Sequence, residues 1–276
     1  MGRIVSDEIQ FAAKASEGGN WYDRSGRQVE MVPSADGKSM VRPDVRHARK
    51  LGLLPGVTGI TGCAAKPQLT EWMVMQGIMA SMTLPRRPHE PEAEFIKRVV
   101  EDSQAQAKAA RDRGTAIHGG VQRHFEGKPV GEEFQPYVDG VVAKLNEAFG
   151  ADTEWSSEQS FACRLGFGSK IDLRATNRRI IVDLKGKEFT AMPSGRQKFH
   201  YDEHAQQLAA YDQAMRMQDE GPPHVCANLF ISREVPGLTH LHIWEGAEEL
   251  NRGWAMFKGL LSYWQARHKY QSGWTP

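Results

Sequence analysis

Two short apolar runs between Gly166 and Lys185 are each broken by charge, and this pattern constrains the fold more than any other. Asp172 sits between Ile171 and Leu173, and Asp183 and Lys185 follow the run Ile180-Ile181-Val182. The runs predict two strands, 168–175 and 179–184. Charges inside strand cores are costly unless paired or bound to a metal. A hairpin turning symmetrically about residues 177 and 178 sets Asp172 opposite Asp183, with Cβ atoms about 4.5–5.5 Å apart. Two carboxylates that close repel unless a cation joins them, and hard oxygen ligands favour Mg2+ or Mn2+. Lys185 lies on the same face as Asp183, roughly 6.6 Å along the strand. It could hold a water or stabilise phosphate charge. A longer loop or a bulge would turn one aspartate away. Taken alone, the hairpin fits equally an interstrand Asp–Lys pair.

The surrounding pattern is α/β with a mixed sheet flanked by helices. Residues 1–60 are rich in turn formers and predict an irregular N-terminal arm. A helical segment spans 61–113, with helices over 69–82 and 91–111. A third helix opens at Gly114-Thr115 and runs through Phe125. Phe134, Val138, Val141, Leu145 and Phe149 recur at helical spacing and form one apolar stripe. Strands are expected at 158–164, 225–231 and 238–243, with a helix over 203–217. Residues 246–276 close the chain with a helix whose Leu250, Trp254, Phe257, Leu261 and Trp264 make a packing stripe on the 114–245 core. The methionines at 73, 75, 79 and 82 are expected to pack.

Composition excludes several classes. The 276 residues carry a net charge of +1, against a protein that coats nucleic acid with its whole surface. Three cysteines, with no CxxC pair, exclude a disulfide framework and any cluster held by four cysteines, so no iron–sulfur centre is expected and a reducing cytoplasm is. No apolar run nears the ~18 residues that span a bilayer, and no membrane partner is expected. Met1 to Ser6 matches the myristoylation pattern without a second membrane signal. Gly37-Lys38-Ser39 hints at a phosphate loop, but valine stands at 32 where that motif needs glycine, so no nucleotide cofactor is expected.

Gly168-x-x-x-Asp172 followed by Asp183-x-Lys185 resembles the PD-(D/E)xK (restriction-endonuclease-like) nuclease core. Gly114-Thr-Ala-Ile-His118 is similar to the upstream GTxxH helix of its RecB-like branch, and Gln207-Leu-Ala-Ala-Tyr211 to the downstream QxxxY helix. Within that branch the chain looks most like phage-encoded exonucleases and the mitochondrial genome maintenance exonuclease. Pro55 to Thr61 is similar to the segment those proteins place before their first helices. The resemblance implies a metal-dependent DNA exonuclease acting in phage or prophage recombination, replication or processing. Its metal, Mg2+ or Mn2+, would be held by His118, Asp172, Asp183 and the Leu184 carbonyl. Lys185 would position the attacking water, with Gln207 and Tyr211 presented from one helix face and Glu158 as an outer carboxylate. Where the family often has threonine after the lysine, this chain has Gly186.

The partners implied are DNA ends, single- or double-stranded, and a strand-annealing or single-strand-binding protein; the oligomeric state stays open. Residues 164–198 hold nine Lys/Arg against three acids. Lys170, Arg174, Lys187, Arg196 and Lys198 are the candidate phosphate contacts, against a solvated basic hairpin. Tyr211 also fits a core stripe with Leu208 and Met215, and His200 and His204 share an i, i+4 spacing that could bind a metal. Two other functions remain in view: a structure- or sequence-specific endonuclease, and a non-catalytic nucleic-acid-binding or inhibitory protein.

Overall fold

The computed structural model describes residues 19–194 and 198–273. The Met1–Ser6 pattern and Arg196 therefore lie outside the described residues. The described residues divide into two compact units: 64–113 form one, and 19–63 with 114–194 and 198–273 form the other.

In the larger unit the arm comes first, as the short strands β1 (Trp21–Tyr22), β2 (Gln28–Val29), β3 (Val32–Pro33) and β4 (Met40–Val41), helix α1 (Val45–Leu51), strand β5 (Leu54–Pro55) and helix α2 (Val57–Thr61). Asp44 caps α1, its side chain accepting from the backbone N–H groups of Arg46 and His47. Pro55 and Leu54 pair with Trp21 and Tyr22, and Gly56 bridges to Gly168, which ties the arm to the central sheet.

The helical unit contains α3 (Pro67–Thr83) and the first part of α4 (Glu92–Phe125), whose last turns, from Gly114, belong to the larger unit. The turn between the two helices is held by Arg98, which pairs with Glu90 at 2.7 Å and donates to the Pro85 carbonyl at 3.3 Å. The break expected between residues 111 and 114 is absent. One glycine weakens a helix by about 1 kcal/mol without ending it, and a Cβ on Gly114 would meet only the Arg233 Cδ at an ordinary 3.7 Å. A Cβ built on Gly186 would come within 3.4 Å of the Gly114 Cα. The methionine expectation is overturned: Met73, Met75, Met79 and Met82 are 59, 50, 50 and 76% exposed. Large apolar side chains are spread round α3 rather than gathered on one face, so they cannot all be covered from one side.

The rest of the larger unit follows as α5 (Gln135–Phe149), β6 (Trp155–Cys163), β7 (Phe167–Ala175), β8 (Ile180–Lys187), α6 (Asp202–Asp219), β9 (Val225–Ser232), β10 (Thr239–Ile243) and α7 (Ala247–Arg267). The five strands form one mixed sheet in the order β10-β9-β8-β7-β6. β8 and β9 are parallel, joined by α6 as the crossover that a parallel pair requires, and the other pairs are antiparallel. α5 buries Val138, Val141, Leu145 and Phe149, with Ile117 and Val121 of α4, against Leu173, Val182 and Leu184. The second core gathers Phe161, Phe167, Ile171 and Ile181 with Leu208 and Tyr211 of α6 and Phe257, Leu261 and Trp264 of α7. No helix among the described residues is long and apolar enough to cross a membrane.

Candidate active site

The site is built where two strands change face together. Ile171 and Leu173 are two apart on β7 and by alternation belong on one side, yet Ile171 lies in the α6–α7 core and Leu173 in the α5 core. Directly across, Ser157 pairs with Leu173 and Gln159 with Ile171, which leaves Glu158 opposite Asp172. Glu158 has φ of +56°, a left-handed backbone that a glutamate seldom adopts. The switch at Glu158 and Asp172 turns both carboxylates to the place where the last turns of α4 cross.

His118 on that helix reaches both acids. Its Nε2 is 3.3 Å from Asp172 Oδ1 and its Nδ1 is 3.9 Å from Glu158 Oε1. One ligand atom from each of His118, Glu158 and Asp172 lies within 4.8 Å of the other two, a donor set of one imidazole and two carboxylates that suits a divalent cation. Burial works against a charged imidazole, but the hydrogen bond and charge of Asp172, helped by Glu158, raise His118 above its usual value. Burial likewise opposes the Asp172 anion, yet His118, Lys185 and the Leu184 N–H hold its pKa down.

The hairpin register is the symmetric one as far as the ladder runs, with Leu173 opposite Val182 and Arg174 opposite Ile181. The ladder then stops, and Asp172 Oδ2 accepts the Leu184 N–H at 2.7 Å. Asp183 is 1% exposed and its oxygens are fully engaged. Lys185 Nζ stands 2.8 Å from Oδ1 and 2.7 Å from Oδ2, Gln207 Nε2 donates to Oδ1 at 2.8 Å, and Asn228 Nδ2 donates to Oδ2 at 2.7 Å. Burial, with Asp172 adding its charge, pushes Asp183 up to about 6 against the pull of Lys185. Lys185 also donates to Gln207 Oε1 at 3.2 Å.

Gln207 and Tyr211 point the same way from α6, as their spacing implies. Tyr211 Oη accepts from Gln207 Nε2 at 2.6 Å and from Ser169 Oγ at 3.2 Å. It is also 2% exposed inside the α6–α7 core, so its packing and polar roles coincide. Gly186, where the resemblance leads one to expect threonine, lies beside Gly114.

The candidate phosphate contacts divide. Lys170 is ion-paired to Glu158 and Arg174 to Asp219. Lys187 Nζ lies over the Phe199 and Tyr201 rings at 4.7 and 5.0 Å, and Lys198 is exposed. Acids distant in sequence also take up Arg178 (Asp152) and Arg179 (Asp219), so most of the segment's basic charge is locally compensated. His200 and His204 do not act together: His204 Nδ1 accepts the Tyr201 N–H at 3.2 Å, and His200 stacks on His242 at 3.6 Å.

Sequence reasoning missed Asn228 and Tyr22. Asn228 is fully buried, and its Oδ1 accepts from Trp244 Nε1 at 2.8 Å; a lone amide inside Val225–Ser232 was a readable signal. Tyr22 hydrogen-bonds Asn20 and Ser169, and burial pushes its hydroxyl up to about 12. Nothing near Tyr22 in the sequence marks it. No protein-family model matches the chain, and no curated protein matches it significantly.

Proposed function

We propose that this chain is a metal-dependent deoxyribonuclease with a PD-(D/E)xK core of the RecB-like kind, an exonuclease hydrolysing phosphodiester bonds at DNA ends. The observation that carries the reading is the meeting of His118, from a helix, with Asp172 and Glu158 beside the buried Asp183 and its half-buried partner Lys185. Charges of both signs are gathered there at a cost that packing alone does not require.

The donor set fits a divalent cation of the Mg2+ or Mn2+ type. His118, Asp172 and Glu158 would hold it, and Asp183 joins them only by giving up Lys185, Gln207 or Asn228. Such an ion would polarise the scissile phosphate and supply hydroxide at neutral pH. The chain's own residues do the rest. Asp183 and Gln207 hold the Lys185 ammonium in place, where it stabilises the charge that grows on the phosphate oxygens. Tyr211, tied to Ser169, fixes the Gln207 amide. The exposed Lys198 and the ring-stacked Lys187 are the basic groups of the segment best placed to meet a backbone phosphate.

End-labelled linear DNA, single- and double-stranded, with Mg2+, Mn2+ or EDTA and a closed-circular control, tests the reading. Metal-dependent loss of linear DNA with the circle intact is expected, with no cleavage in EDTA or by Lys185→Ala protein. A cut circle moves the reading to an endonuclease. Folded wild-type protein that cuts nothing with either metal refutes it in favour of a binding or inhibitory role, and a Lys185→Ala protein cutting at the wild-type rate refutes the role given to the lysine.

A further inference from the structure

An exposed aromatic ring stands at the outer end of the face that α6 turns toward the site. Tyr201, His204, Gln207 and Tyr211 follow one another at steps of three, three and four, so they share that face. Gln207 and Tyr211 are buried, whereas Tyr201, at the N-cap, is 39% exposed. At about 1.5 Å per residue it stands about 9 Å along the helix from Gln207. An aromatic residue is a poor choice of N-cap, and the cap is made without its ring. His204 Nδ1 accepts the Tyr201 N–H at 3.2 Å, and the His204 N–H donates to the Tyr201 carbonyl at 3.0 Å.

The ring is held by a cation. Alternation along β8 puts Lys187 on the face of Asp183 and Lys185, and its ammonium lies 5.0 Å from the centre of the Tyr201 ring and 4.7 Å from that of the buried Phe199. Lys170 and Arg174 are paired to acids, but Lys187 and Lys198 form no ion pair among the described residues. Of the acids beside the ring, Asp202 faces Arg252 at 3.4 Å, and Glu203 adds its charge at Lys185.

Resting on the nuclease reading, we propose that Tyr201 is a stacking platform for an unpaired base, which makes single-stranded DNA the substrate class of this site. A nucleotide offers a flat face and a phosphate; the ring takes the face, and Lys187 and Lys198 take the neighbouring phosphates. The lysines alone cannot choose, because both forms of DNA carry the same phosphate charge. The ring can, because in a duplex each base face is covered by its neighbours and only an unpaired strand can turn one outward. At 3.4 Å or more per nucleotide, the separation from Gln207 puts that base within about three nucleotides of the scissile bond.

The test is binding of the full chain to a labelled dT oligonucleotide in EDTA, read by fluorescence anisotropy, beside an abasic strand of the same length and a blunt duplex. Binding in EDTA does not depend on cleavage, so a failure here is distinct from a failure of the nuclease reading. Wild-type protein should hold dT more tightly than either control. Tyr201→Ala should weaken dT binding roughly five- to a hundredfold and leave the abasic strand as it was. Its salt dependence should stay that of the wild type, whereas loss of a phosphate contact would lower the slope by about 1. Tyr201→Phe, which keeps the ring, should bind as the wild type does, and circular dichroism shows whether each variant is folded. Wild-type protein that binds dT no better than the abasic strand or the duplex overturns the proposal. So does a folded Tyr201→Ala protein that binds dT normally, or a Tyr201→Phe protein as weak as the alanine variant. Stacking on Tyr201 with no cleavage by either metal upholds the platform, and the nuclease reading alone falls.

Discussion

Removing the Asn228 amide gives the sharpest test of how the candidate site is held. The side chain is fully buried and serves two partners, donating to Asp183 Oδ2 at 2.7 Å and accepting from Trp244 Nε1 at 2.8 Å. In Asn228→Ala the carboxylate loses a charge-assisted bond, about 1.5–3 kcal/mol, and the indole N–H is left buried without an acceptor, about 1–3 kcal/mol more. The expected loss is about 3–5 kcal/mol, read as a lower urea midpoint at unchanged slope. Because the Trp244 part passes through the amide, Asn228→Ala and Trp244→Phe should not add: the pair should cost about 1–2 kcal/mol less than the sum of the singles. A loss for Asn228→Ala below about 1 kcal/mol, or strict additivity with Trp244→Phe, would refute the account.

Three further outcomes follow. At position 158 the backbone and the side chain can be separated: Glu158→Gly should unfold near the wild-type midpoint, Glu158→Val about 1–3 kcal/mol earlier because a branched side chain resists φ of +56°, and neither should retain metal-dependent cleavage. Gly168→Ala would bring a Cβ within 2.7 Å of the Tyr22 Cβ, so it should cost about 1–3 kcal/mol and speed limited proteolysis of the arm, detected by mass spectrometry. Burial, then the neighbouring His200, lowers His242 to about 4 from the usual 6.5. The unfolded chain therefore takes up a proton there that the folded chain refuses, and stability falls as pH drops from about 6.5 to 4; His242→Phe should flatten that slope in urea midpoints taken across the range.

What the sequence revealed was local. The hairpin register follows from the position of one turn between two apolar runs, and the α5 and α7 stripes follow from a single period. What it hid depends on distant parts of the chain. The basic run looked like a phosphate track because the acids that answer it, Asp152, Asp219 and Glu158, lie outside the segment or across a strand. Gly114 read as a helix boundary, but one glycine does not end a helix and α4 runs through it to Phe125. The α3 methionines read as core because apolar residues usually are; nothing in a helix's own period says whether a neighbour exists to cover it. Asp183 read as an open ligand because Asn228, which fills one of its oxygens, sits on the far side of a crossover.

The face switch at Glu158 and Asp172 joins these observations. Two cores lie on opposite sides of one sheet, and β6 and β7 serve the α6–α7 core at one end and the α5 core at the other. β7 passes between them without a left-handed residue, whereas on β6 the pass is made at Glu158, where a non-glycine in that backbone costs about 1–3 kcal/mol. Glycine would make the same switch without that strain. A glutamate held in this backbone, with its carboxylate beside His118 and across from Asp172, is accounted for by its side chain, and the purpose open to that side chain is the charge it brings to the cluster. Glu158, an outer carboxylate in the sequence reading, stands with His118 and Asp172, while Asp183 is held by Lys185, Gln207 and Asn228.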